Sequence, residues 1–440
     1  MSLLTSLSAG TTGLEAASLE LSVVGDNIAN ANTVGFKGGR AAFMDALTQT
    51  VIGGTGEIGL GSRLESVQKI LTQGALNSTG IATDLALQGN GFFIVSGNHN
   101  GQTANFFTRA GQFTVDKDGY MVNLEGLRVQ GFPADATGAL TAQPGDLLVG
   151  TASAQPRATG NIQVKANLAA DAPILMDNTV VPPAPIPFDP ANPNTTSNFS
   201  TSMTVYDSLG SAHGVQVFFH KSAAGAWDWH AMTDGGGLTG GTAGQLTQIA
   251  DGTLTFDTSG RLATSVQNAA FSFNPLGAVA PQPLTFNFGD ALSTAGATGL
   301  LGVTQFASPS ASTFIGQDGF GSGQLASIRI DPTGNINGVF TNGQTRVLGQ
   351  VAVAGFSGPD RLERVGGNLY QQTQASGQPV VGAPGAGGRA SIISGSLEQS
   401  NVDLAEQFVR LIAAQRAFQA NSKTITTADQ LLSELIALKR

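Results

Sequence analysis

Residue types able to do chemistry are few in this chain, and their surroundings argue against reaction. Gly54-Thr55-Gly56-Glu57-Ile58-Gly59 matches Gly-x-Gly-x-x-Gly. A dinucleotide site needs that motif between a strand and a helix in a βαβ unit. Here it runs into Leu60-Gly61-Ser62-Arg63-Leu64, with another Gly and no helix start, and reads as a Gly-rich loop. His213 and His220 are an odd number of residues apart, so on one strand they face opposite sides. No acidic pair stands beside them at metal-ligand spacing. There is no Gly-x-Ser-x-Gly elbow. Cys is absent, which removes disulfides, thiol catalysis and Cys-ligated zinc. Trp227 and Trp229 alternate with Asp228 and read either as a sugar-binding face or as cross-strand packing. The expectation is therefore no enzyme, with catalytic, cofactor and metal residues all absent.

Composition points to a scaffold. At 440 residues the chain has room for two or three domains. Charged residues make up 12%, about half the usual share. With 59 Gly and 18 Pro, many turns and short strands are predicted. The net charge of −9 argues against nucleic acid and anionic membrane as partners. No apolar run approaches the roughly 18 residues of a membrane span, so no membrane insertion is expected. The first 36 residues carry no Lys or Arg, and no cleavable signal peptide is expected.

What remains are the two ends. Leu7, Gly10, Leu14, Ala17, Leu21, Val24, Ile28 and Ala31 follow the 3-4 spacing of a heptad seam. The helix should stop within Asn30–Gly35, where Asn and Gly favour a left-handed cap. Near the other end, Leu404, Leu411, Phe418, Ile425 and Leu432 recur every seven residues. Gln407, Ala414, Asn421, Ala428 and Leu435 fill the alternate seam positions. A helix from about Val402 to about Leu438 is predicted, with Ser400 and Asp403 at capping-box-like spacing, Asp403 and Glu406 in the first turn, and Lys439 and Arg440 at the end. A narrow stripe of this kind suits a helix partner better than a sheet. Burying it against one partner is marginal against the conformational entropy lost, so the ends are expected to order on assembly.

Between the ends lies a hairpin landscape. One turn recurs at Asp116–Gly119, Asp257–Gly260 and Asp331–Gly334, each after an alternating strand. Asn342-Gly343 marks another hairpin. A Pro-rich stretch, 180–187, reads as an extended loop, followed by strands around Met203–Asp207, Val215–Lys221 and Trp227–Met232. The fold class is α+β, mainly β, nested and multidomain. Residues 1–35 and 400–440 form a coiled-coil-like helical core domain, and 36–75 an extended connecting segment. Residues 76–155 and 318–399 form an inner β-domain, and 156–317 an inserted outer all-β domain.

Several stretches resemble one family. Asn27-Ile28-Ala29-Asn30-Ala31-Asn32-Thr33-Val34-Gly35-Phe36-Lys37 is similar to the N-terminal signature of the bacterial flagellar axial proteins of rod and hook. Within it, Asn27, Asn30, Asn32, Thr33, Gly35, Phe36 and Lys37 carry the resemblance. Asp84–Phe93 and Thr108–Phe113 resemble the family's shared β-domain, and Ser400–Glu406 with Ala414–Asn421 its C-terminal helix. Val205–His213, in the insert, is similar to a stretch of the hook branch, and distal-rod members lack a large insert. The resemblance implies an extracellular helical homopolymer of the flagellar hook and basal body. It implies torque transmission from rod to filament as a universal joint. It further implies export by the flagellar type III apparatus without cleavage and assembly under a hook cap protein. The partners implied are further copies of itself, the distal rod protein, the hook cap protein, the hook-filament junction protein and the export apparatus. The polymer interface is then expected along Leu7, Leu14, Leu21 and Ile28, and along Leu404, Leu411, Phe418, Ile425 and Leu432. A distal-rod subunit is the near alternative and a secreted β-rich adhesin the remote one.

Overall fold

In the computed structural model the described residues are 3–46, 49–50, 57–58, 61–177, 179, 181–269 and 271–438. The α-helices among them are α1 (Leu3–Ala29), α2 (Pro193–Thr196) and α3 (Leu404–Leu438). Strands and turns make up most of the remainder. The mainly β fold with terminal helices packed on each other is the expected class. The Gly54–Gly59 motif lies largely outside the described residues, as do Lys439 and Arg440; Glu57–Ile58 pair antiparallel with Gln49–Thr50.

The chain divides into two compact units. One comprises Met1–Ala152, Leu325–Val339 and Thr345–Arg440; the other comprises Ser153–Gln324 and Phe340–Gln344. In the first, the chain climbs and returns beside itself. Leu76–Ser78 pairs with Ser396–Glu398, and Leu85–Gln88 with Ser391–Ser394, both antiparallel. Residues 36–75, read as an extended connector, contain an antiparallel hairpin of Gly39–Asp45 with Ser62–Lys69. Beyond it, Thr345–Val351, Arg128–Pro133, Phe92–His99, Gln102–Thr108 and Leu369–Gln371 follow one another as antiparallel neighbours. Phe92, Ile94, Phe107, Ala354, Leu362 and Tyr370 pack as one core of this unit. Phe92 meets Tyr370 edge-on at 5.6 Å between ring centroids.

The second unit is an antiparallel meander of Phe199–Tyr206, Ala212–Ala223, Ala226–Asp234, Leu246–Phe256 and Leu262–Gln267. A second sheet carries Asn161–Asn167 between Thr285–Asn287 and Ala311–Gln317. Alternation places Val215, Val217 and Phe219 opposite Thr233, Ala231 and Trp229, and the apolar members of both rows join the core. Trp227 and Trp229 are both 0% exposed. Trp229 packs on Phe286 and Phe288 at 5.0 and 4.9 Å. Of the two readings of the pair, packing is the one the structure shows.

The Asp-x-x-Gly turn is more widespread than three copies. Asp116, Asp257 and Asp331 each accept, through Oδ1, the N–H groups two and four residues ahead. Asp135 and Asp207 do the same, and so does Asn123 through its amide oxygen. The Gly at the fourth position has a positive φ every time, the backbone state only Gly adopts without strain. These bonds need an ionised or amide oxygen. The Thr137 hydroxyl and the turn's N–H groups hold the Asp135 carboxyl below the ordinary carboxylate range. At Asp257 the Arg261 N–H leads the same effect. At Asp207 and Asp331 burial pushes the carboxyl up and hydrogen bonds outweigh it, led by the His213 ring at Asp207, ahead of the turn's N–H groups, and by the Thr333 hydroxyl of the turn at Asp331. A depressed folded pKa means the unfolded chain binds more protons, so this stability is complete above the unfolded value of about 4 and is lost as pH falls through the folded values. The urea midpoint is expected to drop below pH 4, after a decline between pH 7 and 5 from His230, whose imidazole burial holds below its ordinary range. Asp135→Asn, which copies the Asn123 turn, should reduce that drop; an unchanged acid limb in the variant would count against the turns as its source.

Candidate functional site

No group of three or more His, Asp or Glu among the described residues is arranged to hold a metal ion. His213 bonds Asp207 Oδ2 through Nε2 at 3.0 Å, and His220 Nδ1 meets the Thr196 carbonyl at 2.8 Å. Each is engaged locally on its own face of the sheet. Among the described residues no helix is long and apolar enough to cross a membrane.

The sequence-predicted residues converge instead on the helix pair and on the junction beneath it. α1 and α3 run antiparallel. A Cβ built on Gly10 would come 3.0 Å from Ile425 Cγ1, and one on Gly13 2.7 Å from Asn421 Nδ2. At the other end Asn27 Nδ2 donates to Gln407 Oε1 at 3.0 Å. The buried column of α1 is Gly10, Ala17, Val24 and Asn27; that of α3 is Gln407, Ala414 and Ala428. These are mostly the small alternates of each heptad, and small side chains let two helices approach closely. The large column stays partly open: Leu7, Leu14, Leu21 and Ile28 are half-buried, as are Leu411, Phe418, Ile425 and Leu432. Leu404 is 43% exposed. Heptad spacing located the stripe; it carries no information on which of its two columns faces the partner helix in the same chain.

One local expectation is corrected and another is narrowed to a single residue. α3 begins at Leu404, and Asp403 lies outside its first turn as the N-cap: its Oδ1 accepts the Ala405 and Glu406 N–H groups at 2.8 and 3.3 Å. At the end of α1 the left-handed residue is Gly35, at φ +69°, and neither Asn30 nor Asn32 takes that role. Asn30 donates back to the Asp26 carbonyl at 2.9 Å, and Thr33 Oγ1 donates to Asn30 Oδ1 at 3.1 Å. Asn32 is exposed. A Cβ on Gly35 would lie 2.6 Å from the Ala110 nitrogen, so any side chain there would collide with backbone.

Gly35 must come that close because the next residues enter a buried polar knot. Lys37 Nζ donates to Glu398 Oε1 at 2.6 Å and to the Thr72 carbonyl at 2.8 Å. Arg109 Nη1 reaches Glu398 Oε2 at 3.2 Å. The Gly74 N–H adds a third bond to Glu398, at 2.9 Å, and Gly35 N–H caps the Glu398 backbone carbonyl at 2.7 Å. Asn27 clamps Gly39 from both sides of its amide, and Asn401 holds Gly38 and the Ile70 carbonyl. Burial pushes the Lys37 ammonium down from its ordinary range, and Glu398 opposes that shift. Phe36 is buried, with the Arg364 guanidinium 5.0 Å above its ring. The knot ties the outgoing chain after α1, the strand before α3 and the β-core together. Glu398 was missed in the sequence. Its signal was there: it is the only acid between Glu363 and Asp403, and it lies in an otherwise uncharged stretch.

A helical pair at the chain ends, a nested β-layer and this knot have the build of a structural, assembly-type protein. Four family descriptions match in chain order: flagella basal body rod protein over 7–37, flagellar hook protein FlgE/F/G D1 domain over 86–170, flagellar basal body protein FlaE D2 domain over 167–320, and flagellar basal body rod FlgEFG protein C-terminal over 393–438. The flagellar hook protein FlgE of Borreliella burgdorferi is 36% identical, covering 99% of this chain and 99% of that one. That of Escherichia coli is 31% identical over 97% of this chain and 98% of its own. A crystal structure of the Helicobacter pylori flagellar hook protein FlgE2 aligns with 73% of this chain at 16% identity and a TM-score of 0.49. The chain belongs to the flagellar hook protein FlgE family, structural subunits of the bacterial flagellum.

Proposed function

We propose that the chain is the repeating subunit of the hook, polymerising through its helical ends into a curved tube that transmits torque from rod to filament. One observation carries this reading. Leu404, Phe408, Val409 and Ile412 stand 43–68% exposed on one side of α3. Apolar side chains so grouped mark an association surface. Beside them a groove of about 420 Å³ is lined by Gly13, Ala16, Ala17, Ala413, Ala417 and Phe43. Knobs and groove on the same molecule, in different places, make a heterologous contact, and such contacts build open helical polymers. The half-open seam residues from Leu7 to Ile28 and from Leu404 to Leu432 are then shared with neighbouring copies.

In this reading the subunit leaves the cell through the flagellar type III apparatus without cleavage and adds beneath a hook cap protein. It meets the distal rod protein at one end of the polymer and the hook-filament junction protein at the other. The β-domains slide across their counterparts as the curved tube turns. Few ion pairs and many Gly residues suit surfaces that slide. Electron microscopy of the purified chain at high concentration is the test. Short curved tubes are expected; straight rods would favour the rod alternative, and absence of any polymer would overturn the reading. Deleting 156–317 is expected to leave polymers that have lost their curvature.

A further inference from the structure

Arg389 is the only basic residue between Arg364 and Arg410. Its Nε donates to the Ala383 carbonyl at 3.1 Å, and it forms no ion pair among the described residues. It lines a cavity of about 470 Å³ together with Arg109, Phe92, Phe356, Asn90 and Ser357. No Asp or Glu lines that cavity. In a chain with 30 acidic and 21 basic residues, a recess with two guanidinium groups and no carboxylate is against the average.

The Arg109 side is buried. Arg109 is 3% exposed, and its Cζ lies 5.4 Å from the Phe92 ring centroid. Its Nη1 and Nη2 are engaged by Glu398 and the Gly89 carbonyl, but its Nε is buried with no partner among the described residues. A buried donor left unsatisfied is costly, and most such groups in folded proteins find a partner. Glu398 offers Arg109 little further compensation, because it also neutralises Lys37. Of the other acids, Asp360 follows the lining residue Pro359 in sequence, and it is exposed.

We propose that this cavity is an oxyanion site that takes a carboxylate or a chemically similar anion, gripped by Arg389 on its open side and by Arg109 on its buried side. Arg389 presents its Nη donors to the oxygens of such a group, and Arg109 adds its Nε. The Phe92 and Phe356 rings beside it thin out water, which strengthens the attraction. Two sources share that chemistry: a free small oxyanion, or an Asp or Glu side chain of a second copy. The site itself stands whether or not the chain polymerises.

The test uses the full chain and titrates sodium acetate and sodium phosphate by calorimetry and by amide NMR shifts of the Gly387-Gly388-Arg389 loop. Wild type is expected to bind one of them, Arg389→Ala to weaken that binding about tenfold or more, and Arg389→Lys to fall between. Circular dichroism establishes that both variants are folded. If polymerisation of Arg389→Ala is unchanged, the source is the free ion. If its critical concentration rises about tenfold or more and free acetate inhibits wild-type assembly, the source is a neighbour's carboxylate. Binding of both anions unaffected by either substitution, with assembly within about twofold of wild type, overturns the site.

Discussion

Glu398→Ala is expected to cost the first unit about 3–5 kcal/mol, because two buried cations then face no carboxylate. The side chains of Lys37 and Glu398 are both 0% exposed and that of Arg109 is 4% exposed, so water cannot replace what is removed. Glu398→Gln keeps the shape and should cost nearly as much, since the missing element is charge. Lys37→Met should cost less. Glu398 would keep Arg109 and the Gly74 N–H, and the methionine stem fills the volume of the lysine stem. The placement of the aromatic residues gives an internal control. Both tryptophans, Trp227 and Trp229, lie in the second unit together with Tyr206, while the other two tyrosines, Tyr120 and Tyr370, lie in the first. In urea titrations the first-unit part of the tyrosine and far-ultraviolet signals should shift to lower midpoint, and the tryptophan transition should stay in place. A Glu398→Ala midpoint equal to that of wild type by every probe would show that the knot is not a store of stability.

The knot also marks the limit of what was legible in the residues. The helices were, because a seven-residue repeat of Leu and Ile survives any context. The hairpins at Asp116, Asp257 and Asp331 were, because Asp and Gly at fixed offsets report a local backbone geometry. The turn at Asn123 escaped because the same bonds are made there by an amide. The pairing of Lys37 with Glu398 was not legible: the two are 361 positions apart, and nothing local in a lone buried charge names its partner. The same limit explains the seam. Gly10, Ala17 and Val24 share a stripe with Leu7, Leu14 and Leu21, and only the tertiary fit shows that the small column is the one buried within the chain.

That division of the seam leads to the other large effect, on assembly. Replacing Phe408 and Ile412 together by Ser should raise the critical concentration for polymerisation at least about 10-fold. Two apolar side chains of this size are worth about 3–6 kcal/mol on full burial, about half of it still to be gained on assembly because both are half exposed in the monomer, and each 1.4 kcal/mol is about tenfold in an equilibrium constant. The same double substitution should leave the monomer as stable as before, because Phe408 is 50% and Ile412 56% exposed there. Gly13→Leu acts on the other column. Its Cβ would come 2.7 Å from Asn421 Nδ2, so Asn421 must turn aside, the helix pair should loosen, and assembly should weaken together with it. The two variants therefore separate holding the helices together from holding the copies together. Within one chain the pair buries mainly Gly, Ala and Val, which is thin compensation for ordering a 27-residue and a 35-residue helix. Amide exchange in α1 should accordingly be fast in the monomer and slowed about 100-fold or more in the polymer. Protection in the monomer equal to that of the β-core would mean that the helices are built before the polymer, and the assembly argument would then rest on the exposed knobs of α3 alone.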